Sequence, residues 1–340
     1  MGSPCNNMEM SAQTVAMPPH DYDWVRFKVE GNLPEHIKDR FDGGSSTFRG
    51  GVCVRWTGKL GPDIAVFHYP KQDQVVVSGS PHKLVRGESV GQFGPAEMKR
   101  YAEHMAGSLG LPADVVLNAP VSRFDLAANM GMDAAPAEYI RIMSPPKRMR
   151  AVGSGSGSTA FKNSVAELII YDKIQKIRDK KAWHTLPDAW KGRHVLRVEA
   201  RFKKPRKEFG RALRVSDLCD GAFYVEAVER WLHRVDQIVL SGETVPVPLA
   251  PTKREMVEGL ARIGMGATGG ATAMAERIKR GQRLGVIEPH NARREMEWVV
   301  VLTDTTMELV PNLSAEFARR ALEAAQRSVS HCVRSQTAAA

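Results

Sequence analysis

The sequence predicts an α+β protein, with a mainly antiparallel sheet domain followed by a helical C-terminal region. Two observations support this prediction. Between residues 21 and 212, short alternating apolar and polar runs recur between clusters of Gly, Pro and Asp, which is the pattern of strands joined by hairpins. Beyond residue 213 the apolar residues recur every three or four positions, which is the spacing of helices that bury one face.

Strands are predicted where apolar residues alternate with polar ones or form short runs. Glycine-rich breaks at 43–44 and 61–63 separate the first runs and predict hairpins. A further glycine–serine stretch, 153–158, predicts a flexible turn inside the sheet domain. The predicted strand segments are 24–29, 52–56, 64–69, 75–77, 120–129, 167–175 and 194–203.

Helices are predicted by apolar spacing and by end signals. Residues 95–109 begin with Pro95, which suits a first helical turn, and Gly110 follows as a C-terminal cap. The other helical segments are 134–143, 221–234, 252–263, 271–280 and 314–328. The chain is thereby divided into a flexible leader at 1–20, a sheet domain at 21–212 and a mostly helical region at 213–335.

The charge of the chain favours a polyanionic partner. The 340 residues carry a formal net charge of +10 and a pI of about 9.5, with 43% hydrophobic residues, as in a soluble globular protein. Such a surplus attracts nucleic acid or an anionic membrane surface. No amphipathic or lipidation signal supports the membrane surface, so nucleic acid is the favoured partner.

Membrane insertion and disulfide bonding are not indicated. The apolar runs, of which 298–302 is typical, fall far short of the roughly 20 residues that span a bilayer, and no secretory signal is recognised. The four cysteines are scattered without a C-x-x-C pair, at Cys5, Cys53, Cys219 and Cys332. This spacing is typical of a reducing cytoplasm rather than of a disulfide framework or a cysteine zinc site.

Charged residues occupy the middle of three predicted strands. Because strand side chains alternate, Arg123 and Asp125 share one face of their strand. In the strand 194–203, Arg197, Glu199 and Arg201 likewise share a face. In the strand 167–175, Tyr171 and Lys173 are expected on one face, with Asp172 on the other.

These residues have the chemistry of a phosphodiester-cleaving site. Two carboxylates brought together on one sheet face repel each other unless a cation lies between them, and oxygen ligands suit Mg²⁺ or Mn²⁺. Asp125 and Glu199 are therefore candidate metal ligands. Tyr171 is a candidate covalent nucleophile, and Lys173 could stabilise charge developing on the phosphate.

The same residues also have a purely structural explanation. Arg-x-Asp and Arg-x-Glu in strands commonly form cross-strand ion pairs on a solvated sheet face. A tyrosine in a strand commonly serves packing. A non-catalytic DNA-binding or regulatory protein is therefore the alternative, and it would be favoured if the Tyr171 hydroxyl lay far from Asp125 and Glu199.

The sequence resembles the filamentous-phage replication initiators of the gene II and gene X type, which are related to rolling-circle plasmid initiators with a Tyr-x-Lys strand. The likeness spans roughly residues 75–210. Four segments carry it in the family's order: Ser80 to Gly87 (SPHKLVRG), Val121 to Asp125 (VSRFD), Tyr171 to Lys173 (YDK) and Leu196 to Lys203 (LRVEARFK).

The resemblance implies a metal-dependent, site-specific nickase and strand transferase that acts on double-stranded replicative-form DNA. Such enzymes attack a phosphodiester with a tyrosine, keep the 5′ phosphate covalently and leave a 3′ hydroxyl for the host polymerase. After rolling-circle synthesis they rejoin the displaced single strand. By this resemblance Tyr171 is the nucleophile, Lys173 assists at the phosphate, and Asp125 and Glu199 hold Mg²⁺ or Mn²⁺ in the nicking and joining domain.

The chain departs from the larger nickase superfamily in one respect. It contains no His-x-His pair, so any metal must be held mainly by carboxylates or by an isolated histidine such as His68 or His82. A second tyrosine, such as Tyr69, is open as a participant in joining.

Basic residues flank the Tyr171 strand. Between Lys173 and Lys207 there are thirteen Lys or Arg residues and three acids, and a second cluster covers 147–150. They predict a groove for the DNA backbone, although a solvated charge run has the same composition. The candidate DNA-binding residues are Lys83, Arg86, Arg123, Lys147, Arg148, Arg150, Arg197, Arg201, Lys203 and Lys204.

No nucleotide cofactor is expected. Residues 264–269 (GMGATG) match G-x-G-x-x-G, but the preceding segment has helical spacing instead of the strand that a dinucleotide site requires. The chain has no G-x-x-x-x-G-K-[ST] loop, so unwinding of the origin is assigned to a host helicase.

Overall fold

A computed structural model describes residues 20–86, 93–155, 157–240, 270–293, 296 and 313–337 of the chain. Twelve strands are defined within these ranges. They are β1 Asp21–Glu30, β2 Asp42–Arg49, β3 Val52–Leu60, β4 Ile64–Tyr69, β5 Gln74–Gly79, β6 Val121–Met132, β7 Met143–Ser144, β8 Arg150–Gly155, β9 Ser158–Lys162, β10 Ala166–Asp172, β11 His194–Phe202 and β12 Val239–Leu240.

Ten of these strands form one antiparallel sheet in the order β2-β3-β4-β5-β1-β6-β11-β10-β9-β8, while β7 and β12 pair separately. The α-helices are α1 Glu35–Lys38, α2 Pro81–Arg86, α3 Pro95–Leu109, α4 Ala113–Leu117, α5 Pro136–Ile142, α6 Lys173–Asp179, α7 Pro205–Phe209, α8 Val215–Leu218, α9 Gly221–Val235, α10 Gly270–Arg283 and α11 Leu313–Thr337. The predicted α+β class with a mainly antiparallel sheet is confirmed.

One face of the sheet forms the hydrophobic core. Phe27 of β1 meets Tyr101 of α3 edge to face, and Phe124 of β6 lies in an aromatic cluster with Phe202 and Phe223. The helices α9 and α11 pack on each other and on β6. The alternation of the strands therefore sends most of their apolar side chains toward the helices and most of their charged side chains to the opposite face, called the open face below.

The strand predicted at 167–175 is shorter than expected. β10 ends at Asp172, whose side chain accepts a hydrogen bond of 3.0 Å from the Gln175 backbone N–H and so caps α6. Aspartate stabilises a helix start by satisfying such an N–H group. The prediction that Tyr171 and Lys173 share a strand face is therefore wrong, because Lys173 begins the helix instead.

The helical C-terminal region is described in three parts. Predicted segments 221–234, 271–280 and 314–328 lie within α9, α10 and α11. The predicted helix 252–263 and the GMGATG segment 264–269 lie outside the described residues. The divisions at residues 20 and 212 stay predictions. No helix in the described ranges combines the length and apolar character needed to cross a membrane.

Candidate active site on the open face of the sheet

The register of three adjacent strands, β6, β11 and β10, brings the predicted residues together. Tyr171 lies opposite Arg197, and Arg201 lies opposite Asp125. Glu199 lies between Arg197 and Arg201 on the same face of β11. Cross-strand partners project to the same side of a sheet, so all five side chains share the open face.

Tyr171 and Glu199 are in direct contact. The Tyr171 hydroxyl donates a hydrogen bond of 2.6 Å to Glu199 Oε1. Burial raises the pKa of Tyr171, and the nearby Glu199 carboxylate raises it further against the opposing charge of Arg197. The phenol is therefore neutral at physiological pH, and its proton already points at a carboxylate that can accept it.

Arg197 joins the carboxylates of β1 and β11. Its side chain is fully buried, and its Nε donates to Glu199 Oε1 at 3.1 Å. Its Nη atoms donate to Asp21 at 3.3 and 3.4 Å, to Asp23 at 2.8 Å and to Asn129 at 3.2 Å. A buried guanidinium requires such acceptors, and these carboxylates raise the pKa of Arg197 despite its burial.

Asp125 is held by two arginines. Arg123 donates to both of its oxygens, at 2.8 and 2.6 Å, and Arg201 Nε lies 3.2 Å from Asp125 Oδ2. Burial raises the pKa of Asp125 to about 6 although the hydrogen bonds from Arg123 oppose this. Arg201 Nη2 also lies 3.7 Å from Glu199 Oε2, so one guanidinium bridges the two predicted metal ligands.

Lys173 faces the same cluster from the start of α6. The side chain is buried, which lowers its pKa to about 8, and the charge of Arg197 contributes. Asp23, Asp21 and Glu199 act in the opposite direction. Lys173 therefore lies within electrostatic reach of Tyr171's partners even though it does not share their strand.

The donor set suits a hard divalent cation, although it is not assembled as a metal site. Asp125 and Glu199 offer carboxylate oxygens, the ligands that Mg²⁺ and Mn²⁺ prefer. In the structure arginines hold these oxygens, and the described residues contain no group of three or more His, Cys, Asp or Glu placed around a common point.

The two candidate histidines differ in position. His68 lies on β4, where its ring contacts Asn32 at 3.0 Å, and β4 is two strands away from β1. His82 of α2 is buried and lies within electrostatic range of Asp21, whose pKa burial raises, and of Asp23, whose pKa Arg197 lowers against its burial. His82 is therefore the histidine that borders the carboxylate cluster.

A cationic cleft lies at one end of the open face. It has a volume of about 570 Å³, and its lining contains four cations and no acid: Arg148, Met149, Arg150, Lys162, Asn163, Ser164 and Lys203. Arg150 pairs with Lys162, which pairs with Glu167, which in turn pairs with Arg201. The cleft therefore continues the row of residues that ends at Asp125.

The remaining candidate DNA-binding residues are dispersed. Lys83 pairs with Asp63 at 2.8 Å, and Arg86 pairs with Glu97 at 3.2 Å. Lys147 and Lys204 are exposed. Arg123 and Arg201 lie at the rim of the site, whereas Arg197 is sealed beneath it.

Sequence reasoning missed residues from the first strand and from the cleft. Asp21 and Asp23, beside Arg197, form an Asp-x-Asp pair that could have signalled a polar strand face. Asn129 and Lys162 follow from alternation along β6 and β9. The cations Arg26, Lys28, Arg55 and Lys59 also share the open face.

The fold and the site together define a basic α+β protein with a tyrosine–carboxylate pair set among arginines on an open sheet face. The family model described as replication-associated protein G2P N-terminal matches residues 44–216, just over half of the chain. The chain therefore belongs to this family of filamentous-phage replication initiators, as its sequence motifs predicted. No curated protein matches the chain.

Proposed function

We propose that this replication initiator nicks and rejoins origin DNA through a covalent bond between Tyr171 and a 5′ phosphate. The initiator role and the binding of DNA follow from the family. The chemistry is proposed from one observation above all, the 2.6 Å hydrogen bond from the Tyr171 hydroxyl to Glu199 on an open, arginine-rich sheet face. A non-catalytic origin-binding protein would not require this contact.

In the proposed cleavage step, the Tyr171 oxygen attacks the phosphorus and transfers its proton to Glu199. An O–P bond to Tyr171 forms as the bond from phosphorus to the 3′ oxygen breaks. The 3′ oxygen leaves with a proton from the Lys173 ammonium, whose pKa is lowered to about 8. Joining is the reverse, because a 3′ hydroxyl displaces Tyr171 and each proton returns.

Two arginines are suited to hold the phosphate oxygens. Arg123 and Arg201 are partly exposed, so they can reach a bound strand while keeping contact with Asp125. Their planar guanidinium groups match phosphate geometry. Arg197 is fully buried, so its role is to position the Glu199 carboxylate that accepts the Tyr171 proton.

Mg²⁺ or Mn²⁺ is proposed as the cofactor, held by oxygens of Asp125 and Glu199. When bound, the cation supplies positive charge that polarises the phosphodiester. Arg123 and Arg197 hold the same carboxylates, so these arginines position the ligands and limit the charge that the site can accept.

The cationic cleft is proposed to bind the DNA backbone beside the cleaved phosphate. Two of its four cations, Lys162 and Arg150, lie in the register row of Asp125, three and four strand spacings or about 14–19 Å away. Backbone phosphates would neutralise this charge. The released 3′ hydroxyl would then prime a host polymerase, with a host helicase opening the duplex.

The test mixes full-length protein with the single-stranded origin oligonucleotide in Mg²⁺ or Mn²⁺ and measures a covalent adduct on denaturing gels. Tyr171→Phe should abolish the adduct. Tyr69→Phe is the matched control, because Tyr69 lies on β4, five strands from β10 in the sheet.

The outcomes separate the parts of the proposal. An adduct that survives Tyr171→Phe and disappears in Tyr69→Phe moves the nucleophile to Tyr69. An adduct that forms equally in EDTA overturns the metal assignment and leaves the tyrosine chemistry standing. Specific DNA binding without adduct or nick under any of these conditions supports the non-catalytic alternative.

A further inference from the structure

The β2–β3 hairpin extends beyond its neighbours in the sheet. β4 pairs with β3 from Leu60 back to Trp56 and no further. Residues 52–55, with their β2 partners, therefore project past the sheet by about 14 Å, at roughly 3.4 Å per strand residue. All eight residues of β2 are exposed, whereas Cys53 and Val54 of β3 are partly buried, so the projection is a two-stranded ribbon with one strand open to solvent.

The tip of the ribbon carries apolar side chains that the described residues do not cover. Arg49 pairs with Val52 across a two-residue turn in which Gly50 and Gly51 have φ of +57° and +74°. This turn matches the twist of a hairpin and favours glycine at both positions. Beside it, Phe48 is 63% exposed and Val52 is 47% exposed.

The ribbon is also cationic. Residues 43–62 contain Arg49, Arg55 and Lys59 and no aspartate or glutamate. None of these three cations forms an ion pair with another residue in the described ranges. The Arg55 guanidinium lies 6.0 Å from the centre of the Phe67 ring of β4, which places it at the base of the ribbon. Arginines at the active site, by contrast, already contact carboxylates.

The base of the ribbon is anchored in the core. Trp56 is buried, packs edge to face on Phe41 with ring centroids 5.8 Å apart, and lies 6.0 Å from Lys38 Nζ. Gly58 permits this packing, because a Cβ at that position would lie 2.4 Å from the indole ring. Because the base of the ribbon is packed in the core, the exposed tip is held in one orientation relative to the sheet.

We infer that the tip of the β2–β3 hairpin enters a groove of duplex origin DNA and holds the duplex apart from the nicking site. A two-stranded ribbon fits into a major groove, which is about 12 Å wide and about 8.5 Å deep. The depth of the groove is less than the length by which the ribbon projects from the sheet. Arg49 and Arg55 contact phosphates, while Phe48 and Val52 contact base edges or thymine methyl groups. Unpaired cations beside the apolar tip favour DNA over a protein partner.

The inference rests on the initiator role of the family and is independent of the tyrosine chemistry. The test compares full-length wild type with Phe48→Ser and with an Arg49→Ala/Arg55→Ala double variant. Affinity is measured by fluorescence anisotropy for duplex DNA spanning the replicon's origin and for one of its strands alone. Val286→Ser is the matched control, because Val286 is 49% exposed and lies outside the hairpin.

Both hairpin variants should weaken duplex binding by about tenfold or more, since a groove contact contributes roughly that discrimination. Binding of the single strand and its cleavage should change less than about twofold, and Val286→Ser should match wild type. Removing two phosphate contacts should also reduce the slope of log K against log salt by about 2.

Three results would overturn the inference. Equal losses for duplex and single strand would make the ribbon a general electrostatic track. Unchanged duplex affinity would leave it without a role in binding DNA. A change of oligomeric state in light scattering with unaltered duplex affinity would assign the edge of β2 to a second copy of the chain. Tyr171→Phe should bind duplex normally, so failure of the nicking proposal is seen separately.

Discussion

Arg197 shows how a single residue determines the candidate site. Its guanidinium is completely buried, and it donates to Asp21 and Asp23 of β1, to Asn129 of β6 and to Glu199 of β11. Burying so many charges is favourable only when each finds a partner. The position of the Glu199 oxygen that receives the Tyr171 hydrogen bond therefore depends on Arg197.

Arg197→Ala is expected to destabilise the protein by about 3–5 kcal/mol, because it leaves buried carboxylates without their cation. Urea unfolding monitored by tryptophan fluorescence measures this change. The control is Arg201→Ala, whose partly exposed side chain should contribute about 1 kcal/mol or less. Equal losses in the two variants would contradict a special role for the buried guanidinium.

The lowered pKa of Lys173 predicts how the rate of cleavage depends on pH. Its pKa is lowered to about 8, so the ammonium that protonates the leaving 3′ oxygen is lost as pH rises through this value. The rate of adduct formation should therefore fall above pH 8. In Lys173→Arg the fall should move to higher pH, since arginine stays charged. An unchanged profile in this variant would remove Lys173 from the proton transfer.

At the scale of the elements, alternation predicted much of the site, whereas strand neighbours could not be predicted from local sequence. The shared faces of Arg123 with Asp125 and of Arg197 with Glu199 follow from a period of two. That β6 lies between β1 and β11 depends on pairing between distant segments. Asp21 and Asp23 were not included because the predicted strand begins at residue 24, whereas β1 begins at Asp21.

The boundary between β10 and α6 was not predicted from the sequence. The apolar pattern through 167–175 suits a strand, and the hydrogen bond that Asp172 accepts from the Gln175 backbone N–H determines where the helix starts. Asp172→Ala should lower the free energy of unfolding by about 1 kcal/mol, the usual effect of losing an N-cap. Thermal and urea unfolding measure it.

Asp172→Ser is the matched variant, because serine also caps a helix and should retain most of the stability. Adduct formation should fall in Asp172→Ala more than in Asp172→Ser, since Lys173 occupies the first turn of the same helix. Equal stability of the two variants would show that the cap does not determine the junction.

At the scale of the whole molecule, the C-terminal helix α11 packs against the start of the first strand, β1. His20, just before β1, contacts Ser328 of α11 through both its backbone N–H and its ring, and its ring meets Trp231 of α9 edge to face. Tyr224 donates a hydrogen bond of 2.5 Å to the His20 carbonyl oxygen. One hydrophobic cluster extends from Tyr22 to Cys332. The helices therefore form the second layer of the sheet.

Because the buried ring of His20 lies between the helices and the sheet, acid is expected to destabilise the fold. Burial lowers the pKa of His20 from 6.5 to about 3, and the charges of Arg327 and Arg197 add to the effect. Burial also lowers the pKa of His233 from 6.5 to about 4. Below pH 6.5 the unfolded chain binds protons that the folded chain excludes, so stability should fall as pH decreases toward these values. Each excluded proton contributes up to about 1.4 kcal/mol per pH unit.

Asp125 acts in the opposite direction, since its pKa is raised from 3.8 to about 6 and its contribution to stability decreases as pH rises through that window. Burial also raises the pKa of Asp21, whereas Arg197 lowers that of Asp23 against its burial. His20, His233 and Asp23 therefore act against Asp125 and Asp21, which leaves a net loss of stability in acid. Urea midpoints between pH 4 and 7 should show it, with a shallower slope in His20→Gln. Because His20 contacts both α9 and α11, an unchanged slope would mean that the contact between the C-terminal helix and the sheet does not depend on a neutral His20.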